Sequence, residues 1–398
     1  MNKILIIGAG ASGLMAAITA ARAGAQVTIL EQNDKPGKKI LATGNGRCNL
    51  TNIHQEPACY RCSQPDFPWK IIEQFSSMDT LRFFSKIGIF TKNRQGWMYP
   101  FSDQASSVAE VLEMEARNLK VKIKTNEEVT EIHPLSPGFQ VLTKTWHYEC
   151  DKVIISCGSH ASSVEGSSDT GYTLARSLGH HVIEPLPALA ALKGKGNYFG
   201  KWAGTRMEGN VSLEIQGEIF KEERGEIMFT DYGISGIPVF QISRYAVRAV
   251  HEGYQVVCHL DLMPEFSCED LLSLLTARRA SCPYKTLQQS LIGLLPKKMI
   301  SVIAGKASEE AQIVDHLKDW KVPIKDAYSL KQAQVCSGGV DTRELTNHLE
   351  SIRYPGLYFT GEVVDVDGPC GGYNLQWAWS SGAIAGQAAA VDVPQDKE

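Results

Sequence analysis

The hydrophobic pattern at the start of the chain predicts a strand, a glycine turn, a helix and a second strand. Residues 3–7 (KILII) form a short continuous apolar run, which is typical of a strand buried in a parallel sheet. Glycines follow, and then an alanine-rich stretch that ends at Gly24, as expected of a helix. A second apolar run, 26–30 (QVTIL), stops at Glu31. We therefore interpret this region as a βαβ unit and not as a signal peptide or a membrane span.

Alternation of apolar and polar residues marks the later parts of the chain. Residues 121–133 and 138–156 alternate like antiparallel strands, and the second stretch ends in a buried strand at 153–156. Residues 207–230 alternate strongly, which predicts the hairpins of a barrel, whereas 268–320 have a helical pattern. These changes predict three segments: 1–190, an inserted domain at 191–330 with a helical part at about 267–320, and 331–398.

The turn after the first strand has the G-x-G-x-x-G spacing of a dinucleotide-binding site. The first glycine allows a tight turn, the second lets a pyrophosphate approach the backbone, and the third permits close helix–strand packing. Glu31 can accept the hydroxyl protons of a ribose, and its charge would repel the 2′-phosphate of NADP. The residues predicted to bind the dinucleotide here are Gly8, Ala9, Gly10, Ala11, Ser12, Gly13, Glu31 and Gln32.

The C-terminal part carries a second strand–turn–helix pattern. An apolar run at 356–360 leads into Gly361-Glu362, and a glycine turn then opens a helix of small residues. A chain that returns to add such a unit suits a ligand with two distant ends, which favours FAD over NAD. The residues predicted to contact its ribityl chain and flavin are Gly361, Glu362, Gly371, Gly372, Tyr373, Asn374 and Leu375.

The segment DKPGKKILATGNGRCNLTN (34–52) has a composition that predicts neither a helix nor a strand core. Together with YFTGEVVDVDGPCGGYNLQ (358–376), it resembles the BaiN/YhiN-like (HI0933-like) family of bacterial NAD(P)/FAD-dependent oxidoreductases. Further similar blocks span nearly the whole chain. The resemblance implies an α/β fold: a Rossmann-like two-dinucleotide-binding FAD domain, interrupted by an inserted β-barrel and a small helical subdomain.

The resemblance also implies that the loop runs along the FAD. The loop residues expected to contact it are Lys38, Lys39, Gly44, Asn45, Gly46, Arg47, Cys48 and Asn49. Cys157 and Gly158 stand where such flavoproteins usually have an Ala-Thr-Gly segment against the cofactor. Because this sequence departs from that pattern, we expect a backbone contact from Gly158 rather than a role for the Cys157 side chain.

Composition and charge narrow the classes of partner. The formal net charge is −4, and residues 191–330 hold 17 basic and 17 acidic residues, so we expect no nucleic-acid partner. No other apolar run is long enough for a membrane span, and no metal-ligand motif is present in the sequence. Ten scattered cysteines favour a reducing, cytoplasmic setting. For Cys59, Cys62 and Cys370, redox roles and simple packing both remain open.

These features predict an FAD-dependent oxidoreductase with non-covalent FAD, in which a hydride passes between flavin N5 and a small organic substrate. NAD(P)H stays open as the reductant, although only one G-x-G-x-x-G occurs in the chain. The alternative is an FAD-dependent RNA-modifying enzyme with folate-linked transfer. The sequence identifies neither a catalytic residue nor an oligomeric state.

Overall fold

The computed structural model describes residues 2–305 and 307–391; residues 1, 306 and 392–398 of the predicted segments lie outside the described residues. The strands are β1 Lys3–Ile7, β2 Gln26–Glu31, β3 Thr51–Asn52, β4 Thr91–Arg94, β5 Trp97–Pro100, β6 Lys122–Thr125, β7 Val129–Pro134, β8 Phe139–Thr143, β9 His147–Cys150, β10 Lys152–Ile155, β11 Val182–Ala188, β12 Leu192–Gly194, β13 Arg206–Ile215, β14 Glu218–Phe229, β15 Gly233–Ser235, β16 Val256–Asp261, β17 Trp320–Ala327, β18 Val335–Val340 and β19 Leu357–Phe359. The helices are α1 Ala11–Arg22, α2 Lys38–Ala42, α3 Phe67–Gln74, α4 Ser77–Lys86, α5 Ala105–Asn118, α6 Thr170–Ser177, α7 Phe199–Trp202, α8 Ile237–His251, α9 Cys268–Ser281, α10 Leu287–Ser290, α11 Lys297–Ile303, α12 Glu310–Lys318 and α13 Tyr373–Ala390.

The chain divides into two compact units. The first consists of Met1–Pro185 and Val335–Glu398, and the second of Leu186–Gln334. The chain therefore leaves the first unit once and returns to it. The boundaries near residues 190 and 330 that the pattern suggested remain a prediction of domain organisation.

A five-stranded parallel sheet in the order β19-β10-β1-β2-β6 forms the centre of the first unit. Its middle strand, β1, is an apolar run because both of its faces are covered. Strands β7, β8 and β9 form an antiparallel sheet, as the alternation indicated. For 122–125 the expectation of an antiparallel strand was wrong, since β6 pairs parallel with β2. As an edge strand with half-exposed side chains, it alternates whatever its direction.

Helices α1 and α13 pack so closely that glycines are required between them. A Cβ atom on Gly382 would lie 2.4 Å from the carbonyl oxygen of Ser12, and one on Gly386 would lie 2.4 Å from that of Ala16. Small residues on both helices thus bring the two backbones together. This packing joins the first helix of the chain to its last described helix within one core.

The second unit is a closed six-stranded barrel in the order β12-β15-β14-β13-β16-β17, with α9 to α12 between β16 and β17. The predicted hairpin at 207–230 is present as the antiparallel pair β13–β14. The predicted architecture, a parallel α/β domain interrupted by a barrel with helices, is confirmed. Within the described ranges, no helix is both long and apolar enough to cross a membrane.

Candidate cofactor site

The turn between β1 and α1 shows why its three glycines are needed. Gly8 has a φ of +101°, and a Cβ on Gly13 would lie 2.0 Å from the Gly8 carbonyl oxygen. By contrast, a Cβ on Gly10 would have no neighbour within 4 Å. Gly10 is also the N-cap of α1, and no side chain caps this helix end. The turn therefore leaves an open space next to a helix N-terminus, which is suited to a phosphate.

The carboxylate of Glu31 lies at the end of β2, directly behind this turn. It is buried, with 7% of the residue exposed. Its Oε2 accepts the Ala9 N–H (2.7 Å), and its Oε1 accepts both the backbone N–H (2.9 Å) and the Nδ2–H (2.6 Å) of Asn33. Glu31 thus stabilises the glycine turn itself. The neighbouring Gln32 donates from Nε2 to the Gly166 carbonyl oxygen at 2.5 Å.

The loop after β2 is more ordered than its composition predicted. Residues 38–42 form the short helix α2, and 51–52 form strand β3, so the expectation of no regular structure was wrong. Gly37, the residue before this helix, has a φ of +74°, and the chain changes direction there. Gly44, Asn45, Gly46 and Cys48 then all have positive φ, which folds the glycine-rich part into a compact turn.

Asn49 follows this turn and carries a buried polar atom whose hydrogen-bonding capacity is not used. The residue is buried, at 7% exposed, and its Oδ1 has no hydrogen-bond partner among the described residues. A buried acceptor without a donor is costly, so this oxygen is available to accept a hydrogen bond from a bound group or a water molecule. The guanidinium of Arg47 instead lies 5.9 Å from the Tyr99 ring centroid at the exposed side of the loop.

The two lysines of α2 have different partners. Lys38 Nζ lies 2.7 Å from carboxylate oxygens of both Asp34 and Glu165, and these hydrogen bonds raise its pKa. Lys39 Nζ lies 2.6 Å from Oε2 of Glu362, which is 323 residues further along the chain. The other oxygen of Glu362 accepts the Cys336 N–H at 3.1 Å. The structure therefore joins two predicted cofactor residues, Lys39 and Glu362, into one ion pair.

The glycine turn before α13 packs directly on the loop. Gly371 and Gly372 have φ values of +119° and +96°. A Cβ on Gly372 would lie 2.6 Å from the carbonyl carbon of Thr51. Asn374 closes the turn, because it accepts the Gly368 N–H at 2.8 Å and donates to the Gly368 oxygen at 2.9 Å. Like α1, α13 begins at a glycine without a side-chain cap.

Other predicted residues of this block have packing partners. Burial raises the pKa of Tyr373, so its hydroxyl stays protonated near neutral pH, and Leu375 packs against the core. The Gly361 N–H donates to Ser381 Oγ at 2.9 Å, and a Cβ on Gly361 would lie 2.4 Å from Ser12 Oγ. The sequence interpretation missed Ser381. The signal was present only as a serine pair in the small-residue helix.

At the end of β10, Cys157 and Gly158 differ in environment. Desolvation raises the pKa of the Cys157 thiol to about 12, so it is not a thiolate at neutral pH. Its Sγ lies 3.7 Å from the Ile7 carbonyl oxygen. Gly158 has a φ of +72°, and a Cβ there would meet nothing within 4 Å. None of the ten cysteines, including Cys59, Cys62 and Cys370, is joined in a disulfide.

Comparison with known proteins shows the family to which this chain belongs. The model of the HI0933-like protein Rossmann domain matches residues 2–388. The 3-dehydro-bile acid delta(4,6)-reductase of Clostridium scindens is 44% identical, over 98% of this chain and 99% of its own. The ribosomal RNA dihydrouridine synthase of Escherichia coli is 31% identical, over 95% of each chain. A solved 3-ketosteroid delta1-dehydrogenase from Sterolibacterium denitrificans shares the fold, with 11% identity, a TM-score of 0.51, and coverage of 99% of this chain and 100% of that chain. The chain therefore belongs to the HI0933-like family, as its motifs predicted.

Proposed function

We propose that the protein is an FAD-dependent oxidoreductase that reduces a carbon–carbon double bond conjugated to a carbonyl group in a small organic substrate. The observation that carries this proposal is the 44% identity, over nearly the full length of both chains, to a named delta(4,6)-reductase. The geometry of the first unit supports the cofactor.

The residues fit FAD at both of its ends. Gly10 and Gly158 leave space where a Cβ would meet nothing within 4 Å, and the unpartnered Asn49 Oδ1 can accept a hydrogen bond. In our proposal the turn at Gly8–Gly13 holds the pyrophosphate, and Glu31 holds the adenosine ribose. Glu362 holds the ribityl chain, with Lys39 keeping its carboxylate in place. FAD supplies the hydride chemistry at its N5 atom when bound.

Helix α13 has the electrostatic role in this site. It is 18 residues long, it has no acidic residue in its first turn, and its N-terminal N–H groups are not capped by a side chain. Its positive dipole end therefore stabilises negative charge close to Gly372. A flavin whose pyrimidine edge lies against this helix end is stabilised in its reduced, anionic form.

The names of the two relatives both indicate reduction of a carbon–carbon double bond that is conjugated to a carbonyl group. A 3-dehydro steroid with unsaturation at positions 4 and 6 has its double bonds conjugated to a carbonyl. Dihydrouridine differs from uridine by reduction of a double bond that is conjugated to a ring carbonyl. Reduction of such a bond adds a hydride at the carbon distal to the carbonyl and a proton at the adjacent carbon. This shared chemistry is the basis for the substrate class that we propose.

Anaerobic reoxidation of the flavin tests the proposal. The protein, reduced with dithionite, is mixed with a 3-oxo-4,6-diene steroid acid and, separately, with its saturated analogue. We expect the diene alone to reoxidise the flavin and to gain two hydrogens by mass spectrometry. Failure of every conjugated carbonyl compound in a panel would refute the substrate class.

A second candidate, reduction of uracil in RNA, is favoured by the 31% and 29% identical ribosomal RNA dihydrouridine synthases. Incubation of the reduced protein with ribosomal RNA, followed by nucleoside mass spectrometry, distinguishes between the two candidate functions. The folate-linked alternative is less supported, because the named relatives reduce their substrates. The absence of a nucleic-acid partner remains a prediction. A cytoplasmic location is also proposed, supported by ten cysteines that form no disulfide.

A further inference from the structure

An exposed aromatic pair flanks the β4–β5 hairpin. Phe90, just before β4, is 75% exposed, and Phe101, just after β5, is 61% exposed. Their ring centroids are 5.4 Å apart. Two large apolar side chains that touch each other in solvent form a continuous apolar surface, which commonly marks an interaction site.

Basic side chains surround this pair. Lys92 Nζ lies 5.3 Å from the Phe101 ring centroid, and the exposed Lys86 lines a groove of about 440 Å³ together with Leu81, Ile89 and Phe90. We call the surface formed by Arg82, Lys86, Phe90, Lys92, Arg94 and Phe101 the hairpin patch.

The hairpin patch is positive although the whole protein is negative. Residues 77–103 contain four basic and two acidic residues, whereas the chain has a net charge of −4. The two acids are Asp103, which binds Lys92 and Arg94, and Asp79, which binds Arg82. Within the described part of the chain no ion pair is found for Lys86. An acidic partner would therefore be attracted to this face by local charge, although the net charge of the chain is negative.

One sheet joins the hairpin patch to the candidate cofactor site. Strand β5 pairs with β4 on one side and with β3 on the other, so that Trp97 is opposite Asn52 in the cofactor loop. A Cβ on Gly371, in the turn before α13, would lie 3.2 Å from Cε2 of Trp97. The patch and the proposed flavin-binding turn thus share the same hairpin.

We propose that the hairpin patch docks a small acidic one-electron carrier protein that reduces the flavin. The proposal rests on the proposed function, which requires a reductant, and the chain has no second G-x-G-x-x-G for NAD(P)H. Two reduced carriers each give one electron, and the flavin takes up two electrons and one proton. The substrate then receives a hydride and a second proton, and two oxidised carriers are released. Small interfaces with complementary charge are typical of such transient encounters.

The test uses a plant-type [2Fe–2S] ferredoxin, an acidic one-electron carrier, and follows flavin reduction by anaerobic stopped flow. We expect Lys86→Glu and Phe90→Ser each to lower the reduction rate about tenfold at low ionic strength, with most of the Lys86→Glu effect lost in high salt. Lys325→Glu, an exposed position in the second unit, changes the net charge by the same amount and should leave the rate unchanged. Surface plasmon resonance should rank the variants in the same order by the affinity of FAD-free protein for ferredoxin. The FAD content and the dithionite-driven turnover of each variant should match those of the wild type.

Three results would overturn the proposal. Both patch variants could be reduced by ferredoxin as fast as the wild type. NADH or NADPH could reduce the flavin while ferredoxin neither binds nor reduces it. The variants could lose affinity for a fluorescent single-stranded RNA and keep their affinity for ferredoxin, which would assign the patch to nucleic acid. If dithionite-reduced protein fails on every conjugated substrate while ferredoxin binding follows the variants, the substrate assignment fails and the docking surface stands.

Discussion

At the scale of single residues, Glu31 has two tasks in this site. Its two oxygens already accept three N–H groups from Ala9 and Asn33, and in our proposal they also accept ribose hydroxyls. Remaining lone pairs on a carboxylate allow both. In our proposal the residue therefore connects the shape of the glycine turn to the binding of the cofactor.

Glu31→Gln should weaken FAD binding by about 1.5–3 kcal/mol, or roughly tenfold to a hundredfold in Kd, as expected for loss of a charge-assisted hydrogen bond. The side-chain NH2 group of the glutamine would also face the N–H groups of Ala9 and Asn33, which are themselves donors. Titration of the apoprotein with FAD, followed by flavin fluorescence, measures the change. Glu165→Gln, at a side chain that is 83% exposed, is the control. Equal affinities for the two variants would mean that the adenosine binds elsewhere.

Gly372→Val should weaken FAD retention and lower the flavin reduction potential in the remaining holoprotein. The added side chain clashes with Thr51 and displaces the N-terminus of α13. The reduced, anionic flavin then loses more stabilisation than the oxidised form. Equilibrium dye reduction measures the potential. Gly24→Ala is a matched control, because Gly24 has a similar φ of +93° but open space at its Cβ. An equal or higher reduction potential in Gly372→Val would mean that the N-terminus of α13 does not lie next to the flavin.

At the scale of secondary-structure elements, ion pairs connect segments that are distant along the chain. Lys39 on α2 binds Glu362, whose side chain is only 19% exposed, whereas the partners of Lys38 are 66% and 83% exposed. Exposed pairs contribute little, and a half-buried pair leaves a costly charge when one member is removed. The two lysines of one helix therefore differ in importance.

Lys39→Met should lower the free energy of unfolding by about 1–2 kcal/mol and weaken FAD binding, since Glu362 loses its cation. Lys38→Met should change both by no more than about 0.5 kcal/mol. Urea unfolding of the apoproteins and FAD titration provide the two measurements. The opposite ranking would show that Lys38 is the more important of the two.

Asp341 precedes the short helical turn Thr342–Glu344 and is hydrogen-bonded to His181, the residue before β11. Burial by itself would raise its pKa, but hydrogen bonds from Arg343 and His181 outweigh this and lower the pKa to about 2. Only 4% of its side chain is exposed. A carboxyl group with a lowered folded-state pKa stabilises the protein fully above its ordinary pKa, and this contribution is lost as pH falls towards the folded-state value.

Asp341→Asn should therefore be less stable than the wild type by roughly 2 kcal/mol at pH 7, and the difference should shrink as pH falls below about 4. Urea unfolding at pH 7, 5, 4 and 3 measures this trend. Glu165→Gln again serves as the control. A difference that is constant with pH would mean that the asparagine is destabilising through packing and not through lost charge interactions.

At the scale of the whole molecule, one chain builds a cofactor unit from both of its ends and a barrel from its middle. The first unit resumes at Val335 after leaving at Pro185, and its sheet combines β1, β2, β6 and β10 from the first part with β19 from the second. The parts of the proposed FAD site thus depend on contacts across more than 300 residues.

The purified protein should be yellow, and acid precipitation should release all of its FAD into the supernatant. None of the ten cysteines is joined in a disulfide, and the contacts that we propose for FAD are all non-covalent. Absorbance of the supernatant and the pellet measures the release. Colour that stays in a pellet of the wild type and disappears in Cys370→Ser would establish a covalent bond.

Local sequence determined those features that arise within a few residues of each other. The spacing of Gly8, Gly10 and Gly13 between a strand and a helix predicts the tight turn that the structure shows, because the backbone requirements of such a turn are local. Alternation at 207–230 likewise indicated the barrel hairpin. Only tertiary structure decided that Lys39 meets Glu362, that β6 joins β2 in parallel, and that Gly372 must be small because of Thr51. These contacts join positions far apart in the chain, and one-dimensional patterns record which residues prefer burial but not which of them become neighbours.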